Sequence, residues 1–293
     1  MTEPLLLLGW LLVSHLTADF VLQTDASVAD RRGTGARARR ALGLHGLIVA
    51  ACMAPFWVAF GTPGLVALLV VAVPHPFIDA AKRYLSDIWN ADAPADWSPW
   101  PAAFFLLDQA VHLALVFGAW WLFLRDAAVN PWFADRVAQA TSGMATADGN
   151  RAALIVIVGW SLAVVNGRAA RFFVPLLLPP DGTPAEAAAA RPKVGYSLKL
   201  GPMSGRIEAD PPAPVETADN VGAVVGVLER LLVVVLILAR ADVAIGLVVG
   251  AKTLARFKQL DERAFAEKYL VGTLASVGVA VASALAARFV LGG

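Results

Sequence analysis

Apolar runs about as long as a bilayer is thick recur along this chain, and they limit its fold more than any other feature. Runs such as Leu65–Val73 and Leu231–Ala239 sit between short charged segments. Crossing roughly 30 Å of hydrocarbon at about 1.5 Å per residue takes about 20 residues of helix. In lipid each backbone polar group must be satisfied within its own segment, so such runs fold as helices packed in a bundle. The spacing predicts spans at about 4–22, 42–60, 64–81, 101–124, 152–170, 221–239, 241–256 and 268–291. The expected class is all-α, a polytopic transmembrane bundle of about eight spans. Charged residues make up 16% of the chain, against about 25% in a soluble domain. The net charge of +1 gives no case for a nucleic-acid partner. The one cysteine, Cys52, lies in an apolar run and reads as small packing, with no disulfide or thiolate cluster open to it. The first run has no basic leader and carries His15 and Asp19, so it reads as a retained span rather than a cleaved signal.

Basic residues set the expected orientation. Arg31, Arg32, Arg37, Arg39 and Arg40 follow span 1; Lys82 and Arg83 follow span 3. Arg168 to Arg206 and Arg256 to Lys268 carry the basic residues after spans 5 and 7. The opposite loops carry only Arg125, Arg136, Arg151, Arg240 and Arg288. The bias places the odd-to-even loops in the cytoplasm of a bacterial inner membrane and both termini outside. Three regions follow: 1–124, four spans with the candidate site; 125–151, an extracytoplasmic loop; and 152–293, four spans. In the last region, 179–219 is rich in Pro and Ala and is expected to be a flexible cytoplasmic loop. The stretch from Trp89 to Trp100 suits the headgroup layer, where tryptophan is favoured.

The chemistry-bearing residues are concentrated in the first region. All four histidines, His15, His45, His75 and His112, fall in spans 1–4. Three lie four residues from an aspartate: His15 and Asp19, His75 and Asp79, Asp108 and His112. Residues four apart share a helix face. With sixteen aspartates in the chain, three such pairs by accident is a chance of about one in two hundred. The order within each pair reverses in span 4, which runs the other way. In all three spans the aspartate therefore lies nearer the cytoplasm, with the histidine about 6 Å deeper, and His45 falls at a similar level. An aspartate near the membrane centre costs roughly 2.5–3.5 kcal/mol unless partnered, whereas interhelical polar contacts contribute only about 0.6 kcal/mol. Holding helices together is thus a weak reason to bury three acids. A divalent cation on neutral imidazoles and carboxylates offsets the cost. The expected ligands are His15, Asp19, His75, Asp79, Asp108 and His112; His45 and Asp108 are the candidates for proton transfer. The N and O donor set suits zinc, with manganese or iron as alternatives. His75, between Pro74 and Pro76, is expected to cap a helix restarting at Pro76.

Gln23 and Gln109 are placed to orient a carboxylate or touch a ligand. A second polar set, Glu229, Arg230 and Lys252, lies inside later spans. It reads either as an ion pair joining helices or as an anion site that Asn166 and Arg168 join.

The segments His15-Leu-Thr-Ala-Asp-Phe-Val-Leu-Gln23, His75-Pro-Phe-Ile-Asp79 with Lys82, and Asp108-Gln-Ala-Val-His112 resemble the bacterial DUF3307 membrane family. Leu228-Glu-Arg-Leu-Leu232, Ala251-Lys-Thr-Leu-Ala-Arg-Phe257 and Val271-Gly-Thr-Leu274 resemble it too. The proline before Phe77 departs from the more usual pattern. This resemblance implies a topology but no activity. A weaker one, resting on His-x-x-x-acid pairs alone, is to membrane-bound metal-dependent hydrolases of the YdjM type and to helical zinc phospholipases C. Taken together, the residues predict a metal-dependent hydrolase acting on a lipid-linked phosphoester at the cytoplasmic leaflet. The alternatives are a metal-ion or proton transporter or channel, and a membrane scaffold with a structural metal.

Overall fold

The computed structural model describes residues 4–33, 35–89, 98–143, 146–178, 194–200, 203–209 and 217–292. Among these, six helices are long and apolar enough to cross a membrane: Pro4–Val21, Gly35–Phe60, Thr62–Ile88, Trp100–Leu124, Ala147–Leu177 and Phe265–Leu291. The chain is an all-helical membrane protein in its bundle. In chain order, α1 (Pro4–Leu16) runs into a π-turn (Thr17–Val21), and α2 (Asp25–Arg32) is a short helix outside the spans. Then come α3 (Gly35–Phe60), α4 (Thr62–Ala72), α5 (His75–Ile88) and α6 (Trp100–Ala119), which ends in a π-turn (Trp120–Leu124). The second half contains α7 (Pro131–Ala140), α8 (Thr146–Val164), a π-turn (Val165–Ala169), α9 (Ala170–Phe173), α10 (Thr217–Leu238), α11 (Ala244–Ala255) and α12 (Arg263–Leu291).

The count of about eight spans is approximate: six candidate spans are found among the described residues. Expected span 6 is α10, a helix of 22 residues. Expected span 7 is α11, which has only 12 residues and so extends about 18 Å, too short to cross. Polar residues bound it: a turn with Arg240 in the left-handed region precedes it, and Arg256 ends it. The expected loop 179–219 also departs from its reading. Val194–Leu200 (β1) and Met203–Ala209 (β2) pair antiparallel, Leu200 opposite Met203. The cue was the alternation Val194, Tyr196, Leu198, Leu200, a period of two. Residues 179–193, 201–202 and 210–216 of that loop lie outside the described residues, as do 90–97 of the tryptophan-rich stretch. At the ends of that stretch the rings of Trp89 and Trp100 meet edge to face at 4.6 Å. The outer loop 125–151 holds α7, whose start is capped by Asn130 accepting from the Trp132 amide.

Prolines start these helices where a missing N–H is harmless: the first turns of α4, α5, α6 and α7 each carry one. Spans 2 and 3 form a hairpin so close that a Cβ on Gly64 would lie 2.0 Å from the Phe56 carbonyl oxygen. At the other end of that pair, a Cβ on Gly46 would lie 3.3 Å from the Pro76 ring, so span 2 reaches the break in span 3 beside His45. Packing divides into two cores. Leu11, Val49, Met53, Val71, Val116 and Leu124 join α1, α3, α4 and α6. Val233, Val234, Ile237, Ala280 and Ala284 join α10 and α12. Large apolar side chains face outward, Leu122 at 70% exposure and Leu247 at 76%, which a helix surface in contact with lipid accounts for.

Candidate metal centre

The break in span 3 supplies the centre of the site. Pro74 and Pro76 lack N–H groups, so α4 ends at Ala72 and α5 restarts at His75. Pro74 takes the N-cap place expected for His75, which becomes the first residue of the new helix. His75 is fully buried. The π-turn that ends span 1 sets Asp19. Such bulges rotate side chains off the α-helical register and recur at functional sites. This one is held from outside: Arg168 donates to the carbonyls of Phe20 (2.9 Å) and Gln23 (3.0 Å), and Trp160 donates to the Thr17 hydroxyl at 2.9 Å. Arg168, expected with the later polar set, therefore secures the backbone that follows the site's first acid.

All seven ionisable residues read from spans 1–4 meet here. His75 Nε2 lies 3.2 Å from Asp19 Oδ1 and 3.0 Å from His45 Nε2. His45 Nε2 is 3.5 Å from Asp19 Oδ1 and 3.7 Å from Asp79 Oδ2. His15 Nδ1 is 3.8 Å from Asp19 Oδ1. The His75 and His112 rings are 4.0 Å apart, centre to centre, and His15 stacks on His112 at 5.7 Å. His112 Nδ1 is engaged at 2.9 Å by the carbonyl of Asp108 on its own helix, which leaves Nε2 facing the cluster.

Two of the three acids are held by cations. Arg31, from α2, donates to Asp79 Oδ2 at 2.5 Å. Lys82 and Gln109 donate to Asp108 Oδ2 at 3.0 and 3.2 Å. Arg83 donates to the carbonyls of Arg31 (3.4 Å) and Gly33 (2.6 Å), tying α2 across the foot of α5. The inner atoms are different. Both ring nitrogens of His15, Asp19 Oδ1, His75 Nδ1, Asp108 Oδ1 and His112 Nε2 are buried without a hydrogen bond. Each buried unpaired group costs about 1–3 kcal/mol.

Apart from the contact between His45 and His75, the donor atoms converge without hydrogen-bonding one another, which is the arrangement of a ligand set. Three groups bring one donor atom per residue within 4.8 Å of each other: His15, Asp19 and His75; His45, His75 and Asp79; Asp79, Asp108 and His112. Donors around a cation with bonds of about 2.0–2.2 Å sit roughly 3–4.4 Å apart, so small side-chain shifts would close any of these groups on an ion. The residues fit a divalent cation in spacing, burial and chemistry.

The three aspartates of the cluster, but none of its histidines, line a cavity of about 150 Å³. Arg31, Lys82 and Arg83 give it a basic rim, and Phe20, Phe105 and Phe172 an apolar wall. Gln23 and Gln109 line it, as the sequence suggested. Glu229, Arg230 and Lys252 do not. Arg230 donates to the Asn166 carbonyl (2.6 Å) and Ser276 (3.1 Å), and Lys252 pairs with Glu229 at 2.5 Å. The basic rim escaped the sequence reading because those residues served there only to orient the spans. On the far side of the bundle a cavity of about 670 Å³ is lined by Trp10, Phe56, Phe60 and Phe133, with no ionisable side chain.

A family model described as "Protein of unknown function (DUF3307)" matches residues 7–137. No curated protein and no solved structure matches the chain, so the likeness to YdjM-type hydrolases gains no support. The matched region contains every histidine and aspartate of the cluster, and over those residues the chain is similar to the DUF3307 family.

Proposed function

We propose that this protein is a metal-dependent hydrolase that cleaves a lipid-linked phosphoester at the cytoplasmic leaflet of a bacterial inner membrane. The observation that carries the reading is the combination at one cavity: the carboxylates of Asp19, Asp79 and Asp108, which belong to the buried histidine cluster, together with the cations Arg31, Lys82 and Arg83 and the phenyl rings of Phe20, Phe105 and Phe172. In such a site a divalent cation, zinc before manganese or iron, supplies a lowered pKa for bound water and polarisation of the ester.

The chain's own residues account for the rest. Lys82, Arg31 and Arg83 meet the phosphate charge, and Phe20, Phe105 and Phe172 lie against the apolar part of the lipid. Water oxygen bonds to phosphorus as the bond from phosphorus to the leaving oxygen breaks. The proton released passes to His45, central among the donors, and a proton is returned to the leaving oxygen. Asp108, the other candidate for proton transfer, is better suited as a ligand, because Lys82 and Gln109 fix one of its oxygens while the other stays unpaired. The basic residues Arg31, Lys82 and Arg83 line the cavity, which argues for the headgroup as the point of attack.

A straight channel finds little support. Beyond the histidines, Leu11, Val49, Met53, Val116 and Leu124 close the four-helix core with apolar side chains. The test uses purified protein in nanodiscs, a panel of lipid phosphomonoesters and phosphodiesters, and elemental analysis. Stoichiometric metal and product release that disappear in Asp19→Asn and His75→Gln support the reading. Metal-free protein whose lipid turnover is unchanged by those substitutions, or ion flux without any hydrolysis product, ends it.

A further inference from the structure

The geometry points to two cation sites rather than one, with α5 contributing one ligand to each; this rests on the metal-dependent reading above and deepens it. Six of the seven residues divide into two triads that share no member, and the third group, His45, His75 and Asp79, takes one residue from each. One is His15, Asp19 and His75; the other is Asp79, Asp108 and His112. Each contains a histidine–aspartate pair from one helix, α1 or α6, plus one residue from α5. His75 serves the first and Asp79, one turn later, serves the second.

Three observations favour a division over a single shared ion. First, each triad has its own unpaired buried atoms: Asp19 Oδ1 and the His15 nitrogens in one, Asp108 Oδ1 and His112 Nε2 in the other. One ion cannot satisfy both sets, because each triad already supplies three donors and the usual tetrahedral site takes four. Second, Lys82 holds Asp108 Oδ2 and leaves Oδ1 buried and unpaired, available to an ion within its own triad. Third, His45 is left between the triads, 3.0 Å from His75, 3.5 Å from Asp19 and 3.7 Å from Asp79. That is the place for a proton acceptor beside a water lying between two ions, and paired ions about 3.5–4 Å apart are a recurrent device for phosphoester displacement.

The donor sets differ, and so do the cations they select. Two imidazoles and one carboxylate favour zinc in the first site. Two carboxylates and one imidazole in the second favour a harder ion such as manganese or magnesium. The second triad supplies two of the three carboxylates that line the cavity, Asp79 and Asp108 against Asp19 of the first, and Lys82 lies beside it, so it is the site that meets substrate oxygen and the one that loses its ion first to chelator.

The experiment is native mass spectrometry of the full chain in detergent, stripped with chelator and then loaded with Zn²⁺, Mn²⁺ or both. Manganese electron paramagnetic resonance supplies a second readout, and thermal melting confirms folding. Wild-type protein is expected to bind two ions, with a spin-coupled signal when both are manganese. His112→Gln and Asp108→Asn are expected to retain one ion held by the His15–Asp19–His75 triad, and the spin coupling is lost. Asp19→Asn is expected to retain the other. A wild-type protein that binds one ion, unaffected by His112→Gln and lost in Asp19→Asn, overturns the two-site proposal while leaving the hydrolase reading in place. A folded wild type that binds no ion overturns both.

Discussion

Two sets of ionisable side chains are buried in this bundle, and they are satisfied in opposite ways. In the second half, Arg230 finds the Asn166 carbonyl and Ser276, Lys252 finds Glu229, and Asn166 itself donates to Ser283 and to the Leu162 carbonyl. Asn166 Oδ1 is the exception. In the first half, donors of seven residues crowd together, and most of the inner atoms have no aligned partner. A matched network holds helices together and needs nothing more. A set that converges yet stays unmatched is shaped for a ligand from outside the chain, and low dielectric raises the cost of leaving it unmatched.

Substitutions can break this contrast or sharpen it. The largest effect is expected for Asp19→Asn: a loss of about 100-fold or more in metal affinity and in lipid turnover, with a melting temperature unchanged or raised because one buried charge is gone. Isothermal titration with Zn²⁺ and a melting curve check both halves of the statement. Arg230→Ala should do the reverse. Removing it strands the Asn166 carbonyl and costs about 1–3 kcal/mol of stability, measured by denaturant or heat, while metal per folded molecule stays at the wild-type value. A drop in metal content there would erase the distinction between the two sets.

Arg168 lies between the two regions in effect. Its guanidinium holds the Phe20 and Gln23 carbonyls but touches no donor of the cluster. Arg168→Gln should weaken metal binding about tenfold, as loss of a supporting contact does, with Arg168→Lys recovering part of it. A purely structural role would lower the melting temperature and leave the metal dissociation constant alone. The smallest effect belongs to the pair Glu229→Gln with Lys252→Gln. An interhelical polar pair contributes about 0.6 kcal/mol on average, so stability should move by less than about 1 kcal/mol and metal binding not at all.

The sequence carried much of this because membrane helices impose strong rules. Apolar length gave the long spans, and the reversal of His and Asp order in span 4 placed three pairs at one depth before any coordinates. It failed where those rules weaken. The run at 241–256 is apolar, but Arg240 and Arg256 bound a helix of only 12 residues, and hydropathy does not see where helix begins. The hairpin at Val194–Ala209 was hidden by reading composition instead of its two-residue period. Within the site, pair spacing located the donors but not their partners: His75 reaches across to Asp19, and Asp79 turns to Arg31. Arg31, Lys82 and Arg83 were visible as topology signals, and only the approach of α2 to α5 brings them to the cavity. The π-turn that sets Asp19 leaves no composition signal at all.

The central claim is that the imidazole and carboxylate donors of spans 1–4 hold metal. Anomalous diffraction from crystals of the wild-type protein, collected above and below the zinc and manganese absorption edges, tests it most directly. The account predicts anomalous density among Asp19, His15 and His75, within bonding distance of their unpaired atoms. Well-ordered side chains in the same positions, with water or direct hydrogen bonds and no anomalous density in zinc-loaded crystals, would contradict it.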